Sequence, residues 1–159
     1  HCVTRLRFQL KDEAKANERQ KQCINMLKIQ EGDILISRSG TIGKVTYATK
    51  DLAKNYIVSD DLVRIRVKDA NLRAYLLAYF TSATALSLML LDEYGSVQQH
   101  LQPRHIQEML IPVPDDWSLA KDMIDAGNMF IKAMEDMSKA DKKIRTQGFD
   151  DLIKEYKMD

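Results

Sequence analysis

The chain has 159 residues, 45% hydrophobic and 30% charged, enough to close one compact domain with a helical appendage. Its net charge of +1 hides an uneven spread: sixteen Lys and Arg stand against twelve Asp and Glu in residues 1–110, and eight against eleven in 111–159. The basic body allows nucleic-acid contact, while no run approaches the ~20 apolar residues of a membrane span, and Cys2 and Cys23 are too far apart to make a metal motif.

The first residues carry no secretory pattern, so a reduced, cytoplasmic protein is expected. Opening on His1 rather than methionine, the sequence is expected to be a fragment or a half-length protein. "RLRFQL" (Arg5 to Leu10) alternates basic and apolar residues as a half-buried strand would, and "KDEAKANERQKQCINMLKI" predicts a polar helix. "EGDILISRSGTIGKVTYAT" then predicts a β-hairpin, with Asp33 to Ser37 in one strand, Lys44 to Ala48 in the other and a glycine-containing loop between them.

"NYIVSDDLVRIRVKD" predicts two further short strands, with Leu62, Arg64 and Arg66 on one face and Val63, Ile65 and Val67 on the other. A small, twisted, mostly antiparallel sheet follows. "NLRAYLLAYFTSATALSLMLLDEYG" reads as helical, with Leu72, Leu76, Tyr79 and Phe80 on one face as core residues. Pro103 is placed to open a short helix over Arg104 to Met109, and "MLIPVP" has the composition of a strand. From Trp117 onward Ala120, Met123, Gly127, Phe130, Met134 and Met137 recur at steps of three and four, with Ile124 and Ile131 widening the stripe. This is a heptad-like amphipathic helix whose face wants a partner. Gly148 is expected to interrupt it before a shorter helix bearing Phe149, Leu152, Ile153 and Tyr156. The fold class is therefore α+β, with a long C-terminal helix.

The loop "SRSGTIGKVT" superficially resembles a phosphate grip. A nucleotide loop needs a glycine five positions before the Gly-Lys pair and a hydroxyl after it; here those places hold Arg38 and Val45. Metal and catalytic constellations are equally poor. His100 and His105 are separated by Pro103, which spoils helical ligand spacing, and adjacent Asp60 and Asp61 diverge if they lie in a strand. No catalytic residue, metal site or cofactor is expected.

The order of the pieces is more specific than any one of them. "GDILISRSGTIG", "IVSDDLVRIRV", "YLLAYFTS" and "YGSVQQHLQPRHIQEMLIPVP", followed by a long helix, resemble the target recognition domain and helical spacer of a type I restriction-modification specificity subunit. The resemblance runs from about Gly32 to Pro114, and more loosely to about Ala140. It implies a non-catalytic subunit that reads half of a bipartite site in double-stranded DNA. Partner methyltransferase and restriction subunits would supply the chemistry, and the spacer would pair with a second copy or with the other half of the same subunit. Its division would be residues 1–114 for recognition and 115–159 for the spacer and dimerisation.

The sequence departs from the family pattern in having one recognition domain and one spacer where two of each are usual. It also carries Asp115-Asp116-Trp117-Ser118 where the spacer's start is usually glutamine-rich, and the first part of the domain is short or absent. On residue chemistry, the hairpin tip (Arg38, Ser39, Gly40, Thr41, Gly43 and Lys44) offers cations, hydroxyls and closely approachable backbone to DNA phosphates. Gln98, Gln99, His100 and Arg104 offer groups that can pair with base edges, and less patterned stretches such as Lys50 to Ser59 are expected to share the base reading. Met123, Phe130, Met134 and Met137 are the expected helix-interaction residues. The other readings are a protein-assembly module of the same fold without specific DNA binding, and the recognition domain of a single-chain restriction-methyltransferase.

Overall fold

The computed structural model describes residues 25–91 and 101–147. The strand expected at Arg5 to Leu10, most of the first helix, and the elements expected after Gly148 lie outside the described residues. Three strands form one antiparallel sheet in the order β2–β1–β3: β1 (Ile34–Ser37), β2 (Val45–Tyr47) and β3 (Leu62–Ile65). Register pairs Ile34 with Tyr47 and Ile36 with Val45 on one side of β1, and Ile34 with Ile65 and Ser37 with Leu62 on the other.

Central β1 is buried along its whole length because the sheet is covered on both faces. Ile34 and Ile36 enter the main core with Val63, Leu77 and Phe80, while Leu35, one residue out of phase, enters a smaller core with Ile29, Ala48 and Val58. That is the two-residue period of a strand put to use on both sides. Buried Asp33 ends β1's apolar run, accepting Arg66 Nε and Nη2 at 2.7 and 2.8 Å and the Gln30 amide at 2.8 Å. The hydrogen bond to Asp33 raises the Arg66 pKa above its ordinary value.

Helix α1 (Lys50–Asn55) follows β2 and is capped by Thr49. It occupies a stretch without a clear apolar pattern, where the cap and Asp51 in the first turn make a helix start. Of the two strands expected in "NYIVSDDLVRIRVKD" only β3 forms; Ile57 makes an isolated bridge to Lys28. The helical stretch expected over 71–95 forms, as far as it is described, two helices, α2 (Ala70–Thr81) and α3 (Ala83–Leu91). Ser82 leaves helical geometry and its hydroxyl accepts the Ala85 amide at 3.2 Å, so it caps the second helix, a role hydroxyl residues prefer.

Helix α4 (Pro103–Glu108) starts at the proline as expected. "MLIPVP" is not a strand: residues 109–114 run outside the ladder, where prolines cannot donate to it. This segment is held by Tyr75, whose hydroxyl donates to the Pro112 carbonyl and whose ring meets Trp117 edge-on at 5.7 Å between centroids. A 3₁₀ turn (Trp117–Ala120) leads directly into α5 (Lys121–Gln147).

Helix α5 packs along α2. The backbones approach closely at Gly127, where a Cβ would lie 2.0 Å from the Ala74 carbonyl oxygen. Glycine is therefore required by close helix approach, despite its cost of ~1 kcal/mol in a helix interior. Ile124, Ile131, Phe130 and Met134 lie half-buried against the main core. The first half of the helix is thus packed on the body of its own chain.

Candidate nucleic-acid interface

Strand direction decides what gathers at each end of the sheet. The β1–β2 loop, residues 38–44, leaves one end, and the antiparallel pairing of Ser37 with Leu62 brings Asp60 and Asp61 beside it. At the opposite end Thr49 meets Ser138 of α5 at 3.3 Å between hydroxyls. Here a cleft of about 430 Å³ is lined by lysines of α1 and α5 together with Glu31, Asp51 and Glu135. Charges of both signs alternate in it, so it is a poor match to a polyanion.

The loop is shaped by buried Ser37, the last residue of β1. Its amide and carbonyl pair with Lys44 and Gly43 at 3.0 and 2.9 Å, its hydroxyl accepts the Lys44 amide at 2.9 Å, and the same hydroxyl donates to the Thr41 carbonyl. Gly40 and Gly43 take positive φ angles of 69° and 75°, which an L side chain rarely adopts. The two glycines then differ: the space beside Gly40 is open, whereas a Cβ on Gly43 would come 2.6 Å from the Leu86 side chain of α3. Half-buried Ile42 anchors the loop to the main core.

Arg38 is placed differently from a free cationic tip. Its Nε donates to the Leu101 carbonyl at 2.9 Å, Nη1 to the Asp60 carbonyl at 2.9 Å and Nη2 to Gln102 Oε1 at 3.2 Å. Its backbone joins the same neighbours, the amide donating to the Asp61 carbonyl at 2.9 Å and the carbonyl accepting the Leu101 amide at 3.0 Å. Ser39 donates its hydroxyl to Asp61. Gly40, Thr41, Lys44 and Arg104 are exposed.

Leu101 and Ile106 are buried in the main core, so α4 is docked rather than loose, and Arg104 stands on its outer side. The Gln102 amide donates to His105 Nδ1 at 3.3 Å, which closes the first turn. Gln98, Gln99 and His100 lie outside the described residues. Lys50 to Ser59, expected to share in base reading, is α1 with its exit, and Thr49 at its start belongs to the far end of the sheet.

Of the helix-interaction residues, Phe130 and Met134 are half-buried on the chain's own core, whereas Met123 and Met137 are 51% and 64% exposed. The exposed pair belongs to a second series at seven-residue intervals, Met123, Phe130, Met137 and Ile144, with exposed Ala126, Ala133 and Ala140 three positions after the first three. Among the described residues no group of three or more His, Cys, Asp or Glu could hold a metal ion. No helix among them is long and apolar enough to cross a membrane.

The chain is thus an α+β body with a cluster of loops at one end of its sheet and a 27-residue helix packed along α2. A family model described as the type I restriction modification DNA specificity domain matches residues 9–139, and the chain belongs to that family. No curated protein and no solved structure matches the chain.

Proposed function

We propose that the chain reads one half of a bipartite site in double-stranded DNA and directs partner methyltransferase and restriction subunits to it. The observation that carries this reading is the family match over residues 9–139. In this reading residues 1–114 are the recognition domain and 115–159 the spacer. Exposed Gly40, Thr41, Lys44 and Arg104 approach the duplex, with Ser39 and Gly43 shaping the tip and Gln98, Gln99 and His100 contributing from the segment before α4. Lysine and the open backbone at Gly40 suit phosphate, and Arg104 suits either phosphate or a guanine edge. The chemistry of methylation and cleavage belongs to the partners.

The test is a selection of random duplex DNA at low salt, on the wild type and on Lys44→Ala/Arg104→Ala, alone and with the partner subunits. A short enriched motif is expected from the wild type, with the double variant weaker and its salt slope reduced by ~1 for each phosphate it no longer neutralises. A pool that stays random with the partners present overturns the reading.

The exposed heptad series favours a second role for the same chain, as an assembly element. Large residues at one heptad position and alanines at the next make a seam on which another helix can approach closely. The occupant we propose is a second copy of this helix, in a dimer of the chain. Sedimentation equilibrium of the wild type against Met137→Lys/Ile144→Lys tests it: a dimer that the double variant dissociates is expected, and a wild-type monomer at all concentrations overturns it.

A further inference from the structure

We infer that Arg38, the most conspicuous cation of the hairpin loop, acts as a positioning residue that locks three separate segments into one DNA-facing surface, its guanidinium serving the chain's own junction in preference to the charge term of DNA binding. The inference deepens the DNA-reading proposal and rests on it. A single guanidinium reaches the Leu101 carbonyl, the Asp60 carbonyl and Gln102 Oε1, at 2.9, 2.9 and 3.2 Å. These acceptors lie 63, 22 and 64 positions away in sequence, so the bonds join segments that share no local structure. Backbone bonds from Arg38 to Asp61 and from Leu101 to Arg38 close the same junction.

Each of the three guanidinium nitrogens thus donates to an oxygen of the chain. Three of the guanidinium's five N–H groups are committed in this way, which fixes the plane of the fork and leaves one N–H on each of Nη1 and Nη2, whereas Lys44 and Arg104 are exposed on two of the segments the junction holds together. Only a planar fork of N–H groups spans three acceptors in this way; an ammonium is a point charge on a flexible stem. Lysine at this position keeps the charge and loses the lock, and that property separates the two roles.

The experiment compares the wild type with Arg38→Lys, Arg38→Gln and Lys44→Ala by amide hydrogen exchange and by duplex binding across a salt series. Both Arg38 variants are expected to speed exchange at the Arg38 and Leu101 amides, which Lys44→Ala leaves alone. Both are also expected to bind duplex roughly tenfold or more weakly, in keeping with the removal of charge-assisted hydrogen bonds, with the salt slope kept. Lys44→Ala is expected to lower that slope by ~1.

Wild-type affinity in Arg38→Lys, together with a reduced slope in Arg38→Gln, assigns Arg38 to phosphate and overturns the inference. So does unchanged exchange at Leu101 in both Arg38 variants. If the wild type binds no duplex even with its partner subunits, the DNA-reading proposal fails, and the loop lock stands or falls on exchange alone. If the Arg38 variants do not fold, Gln102→Met removes one of the three bonds. A smaller rise in exchange at the same two amides is then expected, and no rise overturns the lock.

Discussion

On one side of α5, Ile124, Gly127, Ile131 and Met134 press on the body of the chain; about 100° around the same helix, Met123, Met137 and Ile144 are 51%, 64% and 64% exposed. Both rows repeat at steps of three, four or seven, and both are apolar. What separates them is complementarity of shape. The inner row contains Gly127, which lets the helix touch the Ala74 backbone, and no β-carbon could sit there without moving α2. The outer row has heptad spacing and alanines suited to another helix, yet these three large side chains stand mostly in the open. Periodicity therefore marks a face as apolar, and the neighbouring backbone decides whether the face is already covered.

The sharpest way to break the comparison is to fill the tight contact. Gly127→Leu drives a side chain into the Ala74 carbonyl and is expected to cost more than about 3 kcal/mol, beyond ordinary overpacking. Thermal unfolding followed by circular dichroism measures it, and a wild-type midpoint would show that α5 is not anchored at Gly127. Met134→Ala is expected to cost about 2 kcal/mol, the low end for a methionine truncation because the side chain is only half-buried. Chemical denaturation gives that value directly.

On the outer face, Met137→Lys and Ile144→Lys are each expected to change the stability of the isolated chain by less than about 0.5 kcal/mol, while abolishing helix pairing in solution. A destabilisation comparable to that of Met134→Ala would place the outer row in the chain's own core. The smallest effect concerns the turn that launches α5. The side chain and amide of Ser118 hydrogen-bond to Asp116 and hold its carboxyl below the usual aspartate range. A carboxylate depressed in the folded state stabilises above its unfolded pKa and loses that contribution as pH falls through the folded value. Because Asp116 is fully exposed the effect is slight, and a carbon-detected NMR titration should find its midpoint below that of a free aspartate.

The loop end of the sheet is partly legible in the sequence. A strand, a glycine-bearing loop and a second strand follow from β-branched runs broken by Gly40 and Gly43, and the hairpin forms there. Ser37 and Arg38 are less legible, because their roles depend on partners in the loop's far arm, at Asp60 and at Leu101. The signal for Ser37 is its place as the last residue of an apolar strand, where a hydroxyl can turn inward to satisfy loop amides. Helix α1 is obscured because it is short and its cap, Thr49, follows almost directly on the strand before it.

The sequence alone determined the things governed by near neighbours along the chain: the hairpin, the proline that opens α4, the heptad character of α5 and the ordered set of motifs that marks the family. Alternation, helical spacing and glycine's freedom at positive φ are local properties, and they act through a few residues at a time. The tertiary structure decided which of two apolar rows on α5 is covered, which segments meet at each end of the sheet, and that Arg38 binds its own chain at three points. Those outcomes depend on groups more than twenty positions apart meeting within hydrogen-bond or van der Waals range, and no local pattern encodes such a meeting.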